Sequence, residues 1–312
     1  MTAPLPPRGP RFADNEQVIF DESGAQALLQ QACAPAGIDP AGAALISLGQ
    51  NAVFDLPTLG LVAKVGRTPG SADRAARELA LADWLDGAGV PVVRPADPAV
   101  HLAQEHPVTL WHRLEPAVRP ARPADLAPLL RALHALPAEP APPVALGRRD
   151  LLAPVDSWLA GAEGHIDPAD VAFLRDRKET FVTAISELTP FLPMGPIHGD
   201  ALPRNVHIAP AGPVLLDLEY MASDLREHDL VVLALSQDRY GVPAEEVAAF
   251  NSAYGWDVRE WPGFAVLRGA RETASAAWVA QQSAGNPSAR AEFRRRVDSL
   301  RDGEAAVRWF AF

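Results

Sequence analysis

Strand-forming sequence is concentrated in the first third of the chain, and this constrains the fold more than any other feature. From Ala44 to Gly66 the run ALISLGQNAVFDLPTLGLVAKVG breaks into three short apolar stretches. Gly49-Gln50-Asn51 and Pro57-Thr58-Leu59-Gly60 are the turn sequences between them. Val90 to Val93 and the alternating His106 to Leu114 add two further strands. Residues 73–87 (DRAARELALADWLDG) have helical spacing and stop at a glycine, and Asp21 stands where it can cap a helix over Gly24 to Cys33. Residues 1–20 read as an irregular leader.

After Glu115-Pro116 the period becomes helical: residues 123–136, then stretches near 150–162 and 168–188. A Pro/Ala-rich connector runs from Pro137 to Gly147. Only Val206-His207-Ile208 and Val214-Leu215-Leu216 read as strands here, and the rest reads mostly as helix. Strands followed by helices, rather than alternating with them, define an α+β fold. The division falls between Leu114 and Pro120, which gives a β-rich part over residues 1–115 and a helical part over 116–312.

Composition narrows the partners. No apolar run approaches the ~18 residues of a membrane span. The first residues lack the apolar stretch of a signal peptide, so the expectation is a cytoplasmic protein with no membrane partner. Cys33 is the only cysteine, which excludes an internal disulfide and a cysteine-cluster metal site. A net charge of −11 argues against nucleic acid and makes a cationic small molecule physically reasonable. The 28 basic residues include just two lysines, Lys64 and Lys178. A lysine that survives so arginine-rich a composition raises the question of whether its position needs a compact ammonium, which a planar fork does not replace.

The chemistry concentrates in IHGDALPRNVHIAPAGPVLLDLEYMASDLREHD, from Ile197 to Asp229. Asn205 follows Asp200 by five residues, and Asp217 follows Asn205 by twelve, directly behind an apolar run. A carboxylate, a carboxamide and a second carboxylate on two adjacent short strands can converge. They are hard oxygen ligands, suited to Mg²⁺ holding a nucleotide phosphate. Phosphoryl transfer asks little more of a protein than such ions and a carboxylate for the hydroxyl proton.

HGDALPRN followed by LLDLEYMASDLREHDL resembles the aminoglycoside phosphotransferase and choline kinase superfamily, roughly from Leu45 to the end. The resemblance implies a bilobal protein-kinase-like fold with ATP, or another nucleoside triphosphate, bound between the lobes. It implies that Asp200 is the catalytic base, that Asn205 and Asp217 bind Mg²⁺, and that His198 organises the loop. Asp229 reads as a helix cap or loop anchor. Lys64, on the third strand in LVAKVG, would meet the α and β phosphates, oriented by Glu78 fourteen residues later. Gly49 and Asn51 would form the turn over the phosphates, though the GxGxxG of protein kinases is absent. Trp111 and Trp278 read as packing. Glu219, Asp224 and Glu227 are the acceptor-site candidates, with Asp238 and Glu272 farther along.

The implied activity is transfer of the γ-phosphoryl group to a hydroxyl of a small molecule such as an amino sugar, an aminoglycoside-like antibiotic or an amino alcohol. The alternative is a nucleotide-binding pseudokinase or regulatory module. Retention of all four of Lys64, Asp200, Asn205 and Asp217 counts against it.

Overall fold

The computed structural model describes residues 19–137 and 141–310. Most of the expected leader, and residues 138–140 of the connector, lie outside the described residues. The contacts divide the chain into two compact units, one of residues 1–75 with 99–111 and the other of 76–98 with 112–312.

Among the described residues the first unit is a five-stranded sheet with one α-helix of its own. Helix α1 (Glu22–Cys33) starts where Asp21 Oδ1 accepts the Gly24 N–H at 2.8 Å, satisfying one orphan donor of the first turn. The sheet order is β1 (Ala44–Leu48), β2 (Asn51–Leu56), β3 (Leu61–Gly66), β5 (His106–His112) and β4 (His101–Ala103). Alternation decides the faces. Ala52, Phe54 and Leu56 of β2 and Ala63 and Val65 of β3 are buried, so Lys64 projects from the opposite face of β3, paired in register with Val53.

The second unit is mostly helical. Helix α2 (Ala72–Gly87) belongs largely to it and ties Arg77 to the Met221 carbonyl at 2.6 Å. Its main core joins α4 (Val155–Ala160), α5 (Pro168–Ser186), α8 (Phe264–Gln281) and α9 (Pro287–Arg301) through Val155, Leu159, Leu174, Ala277 and Val297. Beside it lie α3 (Pro123–His134), α6 (Glu227–Tyr240) and α7 (Ala244–Tyr254). Four short strands form two antiparallel pairs. One is β6 (Gly195–Ile197) with β9 (Ala222–Asp224), the other β7 (Val206–Ala209) with β8 (Gly212–Leu215). No helix among the described residues is long and apolar enough to cross a membrane.

The α+β segregation holds, with three local departures. Val90 to Val93 is not a strand: Val92 makes one parallel bridge to Leu215, because Pro91 and Pro95 remove the donors a ladder needs. Strands β4, β6 and β9 were not foreseen, being three residues each, too short for a period of two to register. The helix expected near 150–162 shrinks to α4, with Pro154 at its start.

Candidate active site

One buried carboxylate holds the loop between β6 and β7. Asp229, on α6, accepts the His198 N–H through Oδ2 at 2.7 Å and the Gly199 N–H through Oδ1 at 2.8 Å. His134 of α3 reaches the same Oδ2 at 3.2 Å, and its other ring nitrogen meets the Tyr254 hydroxyl at 2.9 Å. Burial pushes the Asp229 carboxyl up. The His134 hydrogen bond and the His198 N–H outweigh it, so the carboxyl titrates below its ordinary range. The anchor expected at Asp229 is thus a charged one.

Gly199 permits the sharp turn that follows. Its φ is +82°, and a Cβ there would sit 2.2 Å from the Tyr220 carbonyl oxygen. His198, fully buried, faces the Leu216 carbonyl through Nε2 at 2.9 Å and takes the Asp200 N–H on Nδ1 at 3.3 Å. That pattern requires the Nε2–H tautomer. The ring braces the loop against the end of β8 and has no free nitrogen for chemistry.

The turn delivers Asp200, whose Oδ2 accepts from Arg204 at 2.7 Å and from Asn205 Nδ2 at 3.0 Å. Asn205 Nδ2 also donates to the Asp200 carbonyl at 2.8 Å, so both amide hydrogens serve Asp200 and Oδ1 is left as the acceptor. Leu216 N–H donates to the Asn205 carbonyl at 2.9 Å, one rung beyond the β7–β8 ladder. Asn205, opposite Leu216, and Asp217, the residue after Leu216, therefore both stand at the open end of this hairpin. Asp217 adopts φ 59°, ψ 72°, left-handed and uncommon outside glycine. A carboxamide oxygen beside a carboxylate fits a hard divalent cation that takes its remaining ligands from phosphate and water. Among the described residues no group of three or more His, Cys, Asp and Glu gathers at metal-binding distance.

The nucleotide residues expected from sequence distribute as follows. Lys64 is half-buried on β3, and Asn51 begins β2 opposite Gly66. Gly49 precedes β2, with its carbonyl accepting from Arg67 Nε at 2.7 Å. Glu78 is buried on α2. Of the acceptor candidates, Glu219 is half-buried behind Asp217. Glu227 is fully buried, and its Oε1 accepts the Phe191 and Leu192 N–H groups at 2.7 and 2.8 Å. Asp224, also buried, accepts the Arg149 N–H at 2.8 Å and pairs with Arg148 at 3.0 Å. Glu272 pairs with Arg239 at 2.7 Å, and Asp238 with Arg259 and Arg268. Apart from Glu219, then, the candidate acids hold the protein's own groups.

Sequence reasoning missed the arginines. Arg204 sits one residue before Asn205, a position whose motif spacing could have drawn attention to it. Arg149, fifty residues before Gly199, gave no signal; its Nε lies 3.4 Å from the Gly199 carbonyl and its guanidinium 4.9 Å over the Tyr220 ring.

His228, buried on α6, adds a pH dependence. Burial pulls it down to about 4, with the Arg271 and Arg149 charges assisting and Asp224 and Asp229 opposing. Between that value and 6.5 the unfolded chain binds a proton that the folded one refuses. The stability is fully present above 6.5 and is lost as pH falls toward 4. The expected loss is on the order of 3 kcal/mol. Denaturation midpoints measured from pH 7 to 4 should show a shallower fall for His228→Gln; equal slopes would assign the loss elsewhere.

A β-sheet lobe and a helical lobe, the latter carrying an HGD turn, an asparagine and a hairpin-end aspartate, define a small-molecule kinase of protein-kinase-like fold. The family model "Phosphotransferase enzyme family" matches residues 46–269, more than half of the chain, and the chain belongs to that family. Among solved structures it is similar to a choline/ethanolamine kinase family protein from Mesorhizobium loti. The identity is 20%, covering 90% of this chain and 93% of that one, with a TM-score of 0.63. It is similar also to the amicoumacin kinase hAmiN in complex with AMP-PNP, Ca²⁺ and Ami, at 12% identity over 86% and 91% with a TM-score of 0.66. A third is the aminoglycoside phosphotransferase APH(3'')-Id from Streptomyces rimosus with ADP and streptomycin, at 17% over 81% and 99% with a TM-score of 0.56. At these identities the likeness speaks for the fold. No curated protein sequence matches the chain significantly.

Proposed function

We propose that this protein transfers the γ-phosphoryl group of ATP to a hydroxyl of a small molecule in a Mg²⁺-dependent reaction. The observation that carries the reading is the Asp200 carboxylate, held by Arg204 and Asn205 at the end of the hairpin bearing Asn205 and Asp217. Asp200 orients the acceptor hydroxyl and takes its proton as the oxygen attacks phosphorus and ADP leaves. Asn205 Oδ1 and the Asp217 carboxylate would hold the Mg²⁺, whose charge offsets that of the phosphates. By the resemblance, Lys64 would meet the α and β phosphates, Glu78 would orient it, and the Gly49–Asn51 turn would cover the phosphates.

The relatives in solved structures carry names of kinases for choline, amicoumacin and aminoglycosides. An amino sugar, antibiotic or amino alcohol acceptor was expected partly because Asp224 and Glu227 would supply negative charge. Both are buried against the backbone, so the support for a cationic acceptor is reduced to Glu219. The direct test is Mg-ATP turnover over a panel of neutral, cationic and anionic hydroxyl compounds. Mg-ATP binding without turnover of any of them would favour the pseudokinase reading.

The two lysines provide an internal control. Lys64→Arg is expected to lose about 90% or more of kcat/KM, because a guanidinium fork cannot replace a compact ammonium against two phosphates. Lys178 of α5 instead bridges to Asp156 of α4 on the surface, and Arg175 reaches the same carboxylate. Lys178→Arg should leave kinetics and melting temperature near parental values, since exposed pairs contribute only ~0–1 kcal/mol. Equal activity of the two variants would remove Lys64 from the phosphate site.

A further inference from the structure

The surroundings of Asp200 are cationic in a chain of net charge −11. Arg149 belongs to the segment Gly147-Arg148-Arg149-Asp150, which β9 holds rigidly. Ser223 N–H donates to the Gly147 carbonyl at 2.9 Å, and Asp224 Oδ2 accepts the Arg149 N–H at 2.8 Å and Arg148 Nε at 3.0 Å. Asp224 is thereby neutralised by Arg148, and the Arg149 guanidinium is laid along the Gly199 carbonyl and over the Tyr220 ring. A carbonyl and a ring position a guanidinium; neither cancels its charge.

A second arginine stands behind it. Arg271 of α8 is buried, with 8% exposure. It donates to the His228 carbonyl at 2.8 Å, while its Nε is buried without a hydrogen-bond partner. Burial and the Arg149 charge pull Arg271 down to about 10, against an opposing pull from Asp200 and Asp229. Among the described residues neither guanidinium beside the loop bearing Asp200 has a carboxylate within ion-pair distance. Such an arrangement suits bidentate recognition of an oxyanion.

We infer that the acceptor is an anionic hydroxyl compound, whose carboxylate or phosphate group is bound by the Arg149 guanidinium while its hydroxyl meets Asp200. The inference rests on the phosphotransferase reading of Asp200, and it makes Arg149 a specificity-determining residue.

The test first loads the protein with AMP-PNP and Mg²⁺, so that the γ-phosphoryl position is filled. It then titrates inorganic phosphate and, separately, malonate by calorimetry. The expected result is saturable binding of at least one anion, with the stronger of the two naming the group. Binding should weaken about tenfold or more in Arg149→Met, and partly recover in Arg149→Lys, which keeps the charge but not the fork. Melting temperatures of the variants report whether each folds. Arg149→Met should also raise the KM of an anionic acceptor far more than that of ATP. Absence of anion binding to the parent, equal binding by Arg149→Met, or turnover restricted to cationic acceptors would overturn the inference. A loss of kcat with unchanged acceptor KM would do so too, since it would assign Arg149 to the transferred phosphoryl group. Failure of AMP-PNP to bind would sink the phosphotransferase reading instead. The anion titration on nucleotide-free protein would then decide Arg149 by itself.

Discussion

Asp200→Asn is expected to reduce phosphoryl transfer about 10²- to 10⁴-fold while Mg-ATP still binds. The substitution preserves shape and leaves an oxygen for Arg204 and Asn205, which now meet Oδ2 at 2.7 and 3.0 Å. What it removes is the ability to accept a proton. Binding and chemistry should therefore separate: a near-parental ATP affinity by calorimetry, and a kcat at or below one hundredth of the parent. Turnover within about threefold of the parent would mean that another group takes the proton. Lost ATP binding would instead implicate the loop's architecture.

The second large effect is on stability. Gly199→Ala should cost about 3 kcal/mol or more, because two penalties coincide. The residue occupies φ +82°, where an L side chain is strained, and the new methyl would lie 2.2 Å from the Tyr220 carbonyl. Neither partner can yield cheaply. The Gly199 N–H is bound to Asp229, and the segment leading to Tyr220 turns through the left-handed Asp217. The melting temperature should fall by roughly 6–12 °C for a unit of this size, and activity should fall with it. A parental melting temperature would show that the loop relaxes around the methyl and that close packing is not why glycine stands there. Gly60, at φ +65° with nothing within 4 Å of an added Cβ, is the control that isolates the backbone penalty from the clash.

The legible parts of the site were those whose partners are near in sequence. Asp200, Asn205 and Asp217 could be grouped from sequence because one hairpin joins them, and local spacing survives folding. The β1–β3 meander was legible for the same reason, through its two turns. Charge alone drew attention to Asp224 and Glu227. Their burial depends on β9 pairing with β6 and on α6 packing beneath residues 191–192, which no local pattern announces. Arg149 was illegible from the opposite cause. It resembles every other arginine in an arginine-rich chain, and only the Asp224 anchor distinguishes it. Val90 to Val93 misled because β-branched residues outweighed the prolines around them.

The β7–β8 hairpin acts as a length gauge. Its ladder runs from Ala209↔Gly212 back to Val206↔Leu215, and the Leu216–Asn205 hydrogen bond closes its open end. The distance across that end is one strand spacing, however far the turn projects. Lengthening both strands by one residue would keep Asn205 opposite Leu216, the residue before Asp217, with the turn moved outward. An extra residue in one strand alone would slip the register and invert every side chain beyond it. The eleven-residue interval from Asn205 to Leu216, with Asp217 next along the chain, is thus a matter of parity rather than of distance.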